Sequence, residues 1–399
     1  MPSQQTITIV KATAPILEEH GEALTRHFYT RMFAHNPEVA PYFNAANQTA
    51  GRQQKALAAA IAAYAANIDN LEVLGSAVEL IAQKHASLMI KPEHYPIVGE
   101  NLLASIREVL GDAATDDIIA AWAEAYGFLA DIMIGREKQI YSENASKVGG
   151  WDGFKAFRVA RKSAESANIV SFYLQPADGS PLPSFKPGQY ITVRVPTLDG
   201  STTMRNYSLS DAPGRDWLRI SVKREERGFV SNWLHDEVQE GDTLDLGPPC
   251  GEFFLDVTEK HQRPLVLLAA GIGVTPLLSI LQTALAETPD RSIVFIHGAL
   301  SPDVQAFRAM VTGLAARHSN LQVHHRYNGD APEADPSSST GMIDAELVES
   351  FVPQRDADYF FCGPQPFMVS IYQELLKWGL PPAQVHFEFF GPRQALTAA

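Results

Sequence analysis

From residue 1 to about 145 the apolar positions recur at three- and four-residue spacing, with proline or glycine at the breaks. That spacing predicts consecutive helices and an all-α unit. Eleven alanines between Ala45 and Ala66 favour helix and leave a slim face against which something flat could pack. At "GGWDGFKAFRVARK" the period falls to two, and short runs such as "GQYITVRV" and "WLRISVKR" alternate with Gly, Pro and Asp turns, predicting a β domain over 150–260. After "EKHQRP" the pattern changes again. Buried-type strands "LVLLAA", "SIVFIHG", "LQVHHRY" and "DYFFCG" alternate with helical stretches, which predicts a parallel sheet wound with helices over 261–399. The stretch "NGDAPEADPSSSTG" reads as a surface connection. There is no internal repeat.

A chain of 399 residues suggests roughly two to three domains, in line with these changes of period. The net charge of −14 argues against nucleic acid or an anionic membrane as partner, because both would repel it, and leaves small molecules as the expected ligands. The longest apolar run read in the sequence, "PLVLLAAGIGV", is far short of a membrane span, and the N-terminus lacks a basic, cleavable leader. Only Cys250 and Cys362 occur, isolated from each other. They exclude a zinc ribbon, a cysteine-ligated cluster and a covalently attached haem, and a reducing cytoplasm fits them best.

Three stretches carry candidate chemistry. "LVLLAAGIGVTPLLSIL" runs from a buried strand through Gly271, Ile272, Gly273, Val274, Thr275 and Pro276 into an apolar helix. Such a turn lets backbone amides approach a pyrophosphate, although a tight strand-to-helix turn would use the same glycines. "TMRNYSLSDAP" offers Arg205 to a phosphate, Tyr207 to a ring system and Ser208 to a ring nitrogen. "RGFVSNWLHDEV" begins a helix near Gly228, Val230 and Ser231, a second phosphate-binding terminus. Of the five histidines before residue 150, His20, His27, His35 and His94 are expected to face solvent. His85 differs, because it follows Ile81 by four and precedes Leu88 by three on an apolar stripe. A histidine in that setting is ordinarily a satisfied core residue.

The order Arg205, Asn206, Tyr207, Ser208, then Gly228 to Ser231, then "AAGIGVTP", then "FFCGPQPFM" resembles the ferredoxin–NADP reductase superfamily. The resemblance implies an antiparallel barrel that holds FAD through Tyr190 and Arg205 to Ser208. It further implies a nucleotide domain that holds NAD(P)H at Gly271 to Pro276 and sets Cys362, Gly363 and Pro364 beside the nicotinamide. The closing Phe389, Phe390, Gly391 and Pro392 would bring Phe390 against the flavin. Cys362 itself reads as a small apolar filler rather than a nucleophile.

"RHFYTRMFAHNPEVAPYF", "GRQQKALAAAIAAYAANI", "IAQKHASLMIKPEHYPIVGENLL" and "AWAEAYGFLADIMIGREKQIY" resemble, in order and spacing, the globin domain of flavohaemoglobins. That likeness spans the whole chain and implies a globin at 1–147, an FAD domain at 150–260 and a nucleotide domain at 261–399. By it His85 becomes the proximal ligand of haem b, with Phe43 on the haem edge. Tyr29, Gln53 and Leu57 line the O2 side, and Tyr95 and Glu137 are proximal partners. Helical periodicity agrees in part, since Gln53, Leu57, Ile61 and Tyr64 fall on one face. The implied activity is nitric oxide dioxygenation, in which electrons from NAD(P)H reach haem through FAD and NO and O2 yield nitrate. It implies protection against nitrosative stress; the protein is expected to be a monomer. Two rivals stand beside it: an NADH-driven reductase of ferric compounds, quinones or peroxides, and a haem-based gas sensor or carrier.

Overall fold

The computed structural model describes residues 1–43, 51–258, 263–329 and 335–391. Five long helices come first: α1 (Gln4–His35), α2 (Arg52–Ala66), α3 (Gly75–Ser87), α4 (His94–Leu110) and α5 (Asp116–Ser146). Two are fixed at their starts by hydroxyl caps. Ser3 accepts from the Thr6 amide at 3.2 Å, and Thr115 accepts from Ile118 with Asp116 and Asp117 in the favourable first turn. Around α1 these helices enclose a core containing Val10, Leu24, Phe28, Met32, Ile68, Ile106 and Trp122. The alanine face of α2 serves a different purpose from the one expected. It abuts α1, where a Cβ built on Gly21 would lie only 3.1 Å from the Ala58 methyl, so small side chains bring two helices close. Helix α5 is long and apolar enough to cross a membrane by length and composition, a property the reading of "PLVLLAAGIGV" overlooked. It packs against α1, α3 and α4 as part of this bundle.

The second unit is an antiparallel six-stranded sheet of β1 (Lys155–Ser166), β2 (Ile169–Pro176), β3 (Tyr190–Pro196), β4 (Thr202–Ser208), β5 (Leu218–Lys223) and β6 (Thr243–Leu246), in the order β4-β3-β6-β1-β2-β5. Leu209, just past β4, bridges Ile220 of β5, so the two edges meet and the sheet curls into a barrel around Phe157, Phe172, Ile191, Val193 and Leu218. Helix α6 (Phe229–Asp236) begins at Gly228.

The third unit is a parallel sheet of β7 (Leu265–Ala270), β8 (Ile293–Ala299), β9 (Leu321–Tyr327), β10 (Ser338–Thr340), β11 (Asp358–Cys362) and β12 (Val385–Glu388), in the order β10-β9-β8-β7-β11-β12. It is accompanied by α7 (Val274–Glu287), α8 (Arg308–Ala315), α9 (Ala345–Phe351) and α10 (Gln365–Lys377). Separate apolar cores lie on its two faces, which is why the central strands β7 and β8 read as largely apolar runs. Part of "NGDAPEADPSSSTG" departs from the expected loop. Residues 338–340 pair with β9 as a three-residue edge strand, too short and too polar for any periodicity to show. A fifth apolar cluster joins the helical unit to the barrel by packing Ala82, Ala86 and Ile140 with Tyr190 and Cys250.

Candidate functional site

Helix α3 is C-capped by a tight turn in which Met89 adopts φ 60°, and this ends the helix two residues after His85. The face carrying Ile81, His85 and Leu88 is only partly covered, with Ile81 37% exposed, whereas Ala82, Ala86 and Ser87 around it are buried. The stripe is therefore only partly packed, and His85 is less enclosed than an ordinary core residue. His85 Nδ1 lies 2.8 Å from Glu137 Oε1 and 3.1 Å from the Tyr95 hydroxyl, which itself donates to Glu137 Oε1 at 2.5 Å. A carboxylate only accepts, so the proton sits on Nδ1 and the lone pair on Nε2. Glu137 is 2% exposed, and these two donors hold its charge. Burial, followed by the adjoining carboxylate, pushes the Tyr95 phenol well above its ordinary pKa. Tyr126 supports the group by donating to the Tyr95 carbonyl at 2.6 Å.

In the same helical unit Tyr29 is buried among Phe28, Phe33 and Phe43, whose ring centroids lie 5.0, 5.9 and 5.6 Å away. Its hydroxyl makes no hydrogen bond among the described residues, and burial raises its pKa. It is thus a neutral, uncommitted donor in an apolar enclosure. Gln53, Leu57 and Phe43 are half-buried nearby. A ring of partly covered apolar side chains, a histidine with its lone pair available and a spare phenolic donor fit a haem.

In the barrel, Tyr190 pairs with Ser208, Thr192 with Asn206 and Val193 with Arg205. Strand alternation divides the motif, with Asn206 and Ser208 on one face and Arg205 and Tyr207 on the other. Asn206 donates to Ser87 Oγ of α3 at 3.2 Å. The Tyr190 ring packs against Gly251, where a Cβ would approach it within 2.8 Å and where φ is +116°. Val230 is barrel core, and the Ser231 hydroxyl is occupied at the Gly228 carbonyl, 3.1 Å away. Both side chains therefore serve the loop, and so does the Gly228 backbone, whose N–H donates to the Glu225 carbonyl at 3.0 Å and whose carbonyl accepts from the Asn232 amide at 3.1 Å.

At the end of β7, Gly271 has φ +55° and Gly273 meets the end of β11 so closely that a Cβ would lie 2.1 Å from the Cys362 carbonyl oxygen. Val274, Thr275 and Pro276 are buried, with Thr275 Oγ1 donating to the Ile272 carbonyl, while Gly271 and Ile272 remain half-exposed. Cys362 is fully buried, and burial drives its thiol pKa well up, as expected of a filler. Gly363 and Pro364 follow it at the edge of the same crevice, Phe389 packs on Phe387 at 5.8 Å, and Phe390 and Gly391 are exposed. Pro392 lies outside the described residues.

Residues 26–133 match the globin family, 156–255 the oxidoreductase FAD-binding domain and 267–373 the oxidoreductase NAD-binding domain. The chain is 48% identical to the flavohemoprotein of Halalkalibacterium halodurans, over 100% of this chain and 98% of that one. It is 49% identical to that of Pseudomonas aeruginosa over the whole of both. The chain belongs to the flavohaemoglobins. The fold agrees. The crystal structure of a flavohemoglobin from Malassezia yamatoensis with bound FAD and heme superposes with a TM-score of 0.85 at 28% identity, covering 98% of this chain and 99% of the other. The FAD/NAD binding domain of a nitric oxide dioxygenase from Vibrio cholerae matches 60% of this chain and 99% of its own at 34% identity and TM-score 0.55. This flavohaemoglobin is accordingly an oxidoreductase built from a globin, an FAD-binding and an NAD-binding domain.

Two expectations about its histidines need correction. His94 does start α4, but it is half-buried, with its ring 4.7 Å from that of Tyr42 and its Nδ1 accepting from the Lys91 amide at 3.1 Å. His27 is also half-buried, between Ser105 at 3.1 Å and Glu108 at 3.2 Å. Both packings come from residues distant in sequence, which helical register alone does not reveal. His20 and His35 are exposed as expected.

Two residues were missed in this flavohaemoglobin. Lys84, next to His85, holds its ammonium 5.3 Å from the centre of the Tyr190 ring, with the Glu388 carboxylate near enough to act on both. His297 donates from Nε2 to the Gly271 carbonyl at 3.0 Å, fastening the nucleotide turn to β8. The first is legible as a charge beside a ligand candidate; for the second, no local pattern exists.

Proposed function

We propose that this flavohaemoglobin is a nitric oxide dioxygenase that uses O2 and NAD(P)H to turn NO into nitrate, and so protects a cell against nitrosative stress. When bound, haem b supplies the iron that takes O2, FAD the passage from two-electron to one-electron transfer, and NAD(P)H the electrons. The observation carrying the reading is the pairing of His85 with a buried carboxylate, in a helical unit that also holds a buried tyrosine with no hydrogen bond among the described residues. A sensor or carrier needs a ligand site, but an anionic proximal partner strengthens electron donation to iron, which serves bond activation.

In this reading His85 Nε2 ligates iron while Glu137 and Tyr95 fix the proton on Nδ1. Tyr29 and Gln53 donate hydrogen bonds on the O2 side, Leu57 limits water there, and Phe43 packs on the haem edge. Tyr190 and Arg205 to Ser208 hold and shield the flavin, aided by the loop at Gly228, Val230 and Ser231. Gly271 to Pro276 hold the pyrophosphate of NAD(P)H, and Cys362, Gly363 and Pro364 border its nicotinamide, with Phe390 against the flavin. The domains run 1–147, 150–260 and 261–399. Two free, buried cysteines support a reducing cytoplasm, and the protein acts as a monomer.

The test adds NADH anaerobically to the holoprotein, follows the haem spectrum, then supplies O2 and NO and measures nitrate. Rapid haem reduction with NO-dependent nitrate is expected. Haem that stays ferric while flavin is reduced would sink the intramolecular chain, and fast reduction without nitrate would favour a reductase of other acceptors.

A further inference from the structure

The dinucleotide can cross the parallel sheet in only one direction. On the reading above, its pyrophosphate lies at the turn after β7 and its nicotinamide beside the end of β11. β11 flanks β7 on one side, and β8 then β9 lie on the other. The adenosine half must therefore rest on the carboxyl ends of β8 and β9. That corner is well built. Ala299 pairs with Tyr327, the Asn328 amide donates to the Ala299 carbonyl at 3.2 Å, and Leu300 is left 70% exposed as an apolar contact for a base.

Two guanidinium groups reach this corner among the described residues, and each already has a partner. Arg326 donates to the Met342 carbonyl at 3.0 Å and to Ser339 Oγ at 2.6 Å, with Asp344 3.9 Å away. Arg308, at the start of α8, meets Asp335 at 2.5 Å, and the pair lies close enough to Tyr327 and His325 to influence both. Asp335 is fixed in turn by the Ser337 amide at 2.9 Å and its hydroxyl at 2.6 Å. Those Ser337 hydrogen bonds, then Arg308, bring its carboxyl pKa down to about 2. Asp303, exposed in the same β8–α8 connection, adds further negative charge.

We propose that Asp335 sets the choice of nucleotide: its carboxylate occupies Arg308, the guanidinium that would otherwise receive the 2′-phosphate of NADPH, so the chain selects NADH. A 2′-phosphate brings a charge of about −1.5 to −2 and needs an uncommitted cation with fork geometry. Here it would meet an internal anion already seated in that fork. NADH, with a 2′-hydroxyl, loses nothing to Asp335.

This rests on the nucleotide site proposed above but not on the NO chemistry. Calorimetric titration of the FAD-loaded protein with NAD⁺ and NADP⁺ tests it, together with ferricyanide reduction by NADH and NADPH, which uses neither haem nor NO. The native chain is expected to bind NAD⁺ at least tenfold more tightly. Asp335→Asn should narrow that preference by about tenfold through tighter NADP⁺ binding, since a charge-assisted pair becomes available to the phosphate. Arg308→Gln added to it should restore the preference, and Asp335→Ser should act like Asp335→Asn. Equal affinities in the native chain, an unchanged ratio in both Asp335 variants, or a gain for NADP⁺ that survives loss of Arg308 would overturn the proposal. Failure to bind either nucleotide would overturn it together with the site on which it rests, whereas absence of nitrate formation would touch only the NO reading.

Discussion

The His85 cluster and the turn after β7 are both compact, yet they are specified in opposite ways. The first is made of side chains: His85, Tyr95 and Glu137 come from three helices and meet through hydrogen bonds of 2.5 to 3.1 Å. The second is made of backbone. Gly271 and Gly273 are two residues apart, and what matters about them is the absence of a Cβ. A side-chain site tolerates drift in the helices so long as the polar atoms meet, whereas a backbone site is lost when one methyl is added. Mutation should therefore affect chemistry at the first and, where a Cβ would meet neighbouring backbone as at Gly273, folding at the second.

The largest separation expected is with His85→Ala. Removing the donor should abolish haem retention while leaving flavin content and ferricyanide reduction by NADH within about twofold, because no barrel or nucleotide residue depends on it. A Soret band at native intensity would contradict the ligand assignment. Gly273→Ala should do the converse. A Cβ 2.1 Å from the Cys362 carbonyl forces β7 and β11 apart and should cost about 3 kcal/mol in the nucleotide domain, with the haem spectrum unchanged. Thermal unfolding followed at the flavin and Soret bands separately would show it, and a coincident shift in both would break the contrast.

Acid should also act on the backbone site first. His297 lies 1% exposed, and burial draws its pKa from 6.5 to about 4. The folded form keeps it neutral, with Nε2–H on Gly271 and Nδ1 accepting from Gln305 at 3.3 Å. The unfolded chain takes up the proton first. The stability is thus fully present above pH 6.5 and is lost as pH falls toward 4, by an amount on the order of 3 kcal/mol. His297→Asn should flatten that acid limb in urea unfolding at pH 5; an unchanged slope would remove His297 from the account.

How far the sequence discloses these two sites follows from the same contrast. The two changes of period near residues 150 and 261 were readable because each unit buries its elements differently, and all four inner strands of the parallel sheet appear where buried-type runs were read, although β9 with its two histidines and arginine is the least apolar of them. The glycine turn was readable as well, since its determinants are neighbours in sequence. The His85–Tyr95–Glu137 cluster was not. Glu137 is one charge among many on α5, and only tertiary packing makes it a buried partner of His85. The same reason hid the covering of His94 by Tyr42 and the tie from His297 to Gly271. Strand β10, three polar residues at a sheet edge, leaves no periodic trace at all.

Glu137→Gln is a gentler probe of the side-chain site. The amide oxygen can still accept from His85 Nδ1, so haem should be retained, but the negative charge behind the imidazole is gone. Less electron density toward iron favours the ferrous state, by about tenfold in the one-electron equilibrium, or about 60 mV upward. Spectroelectrochemistry reads this directly, and a potential that does not move would mean that Glu137 only positions the ring.

Gly271→Ala should have the smallest effect, and it separates the two demands made on the turn. Nothing lies within 4 Å of a Cβ built there, so no neighbour must move, in contrast to Gly273. The remaining cost is conformational, because φ is +55° and alanine pays about 1 kcal/mol to hold the left-handed region. A loss near that size, well below that of Gly273→Ala, is expected in urea unfolding of the nucleotide domain. Gly271 is also half-exposed where the pyrophosphate is proposed to sit, so NAD⁺ affinity should fall further than stability does. If affinity were unchanged while stability fell by the expected amount, Gly271 would serve the fold alone, and the phosphate would rest on the amides at the start of α7 instead.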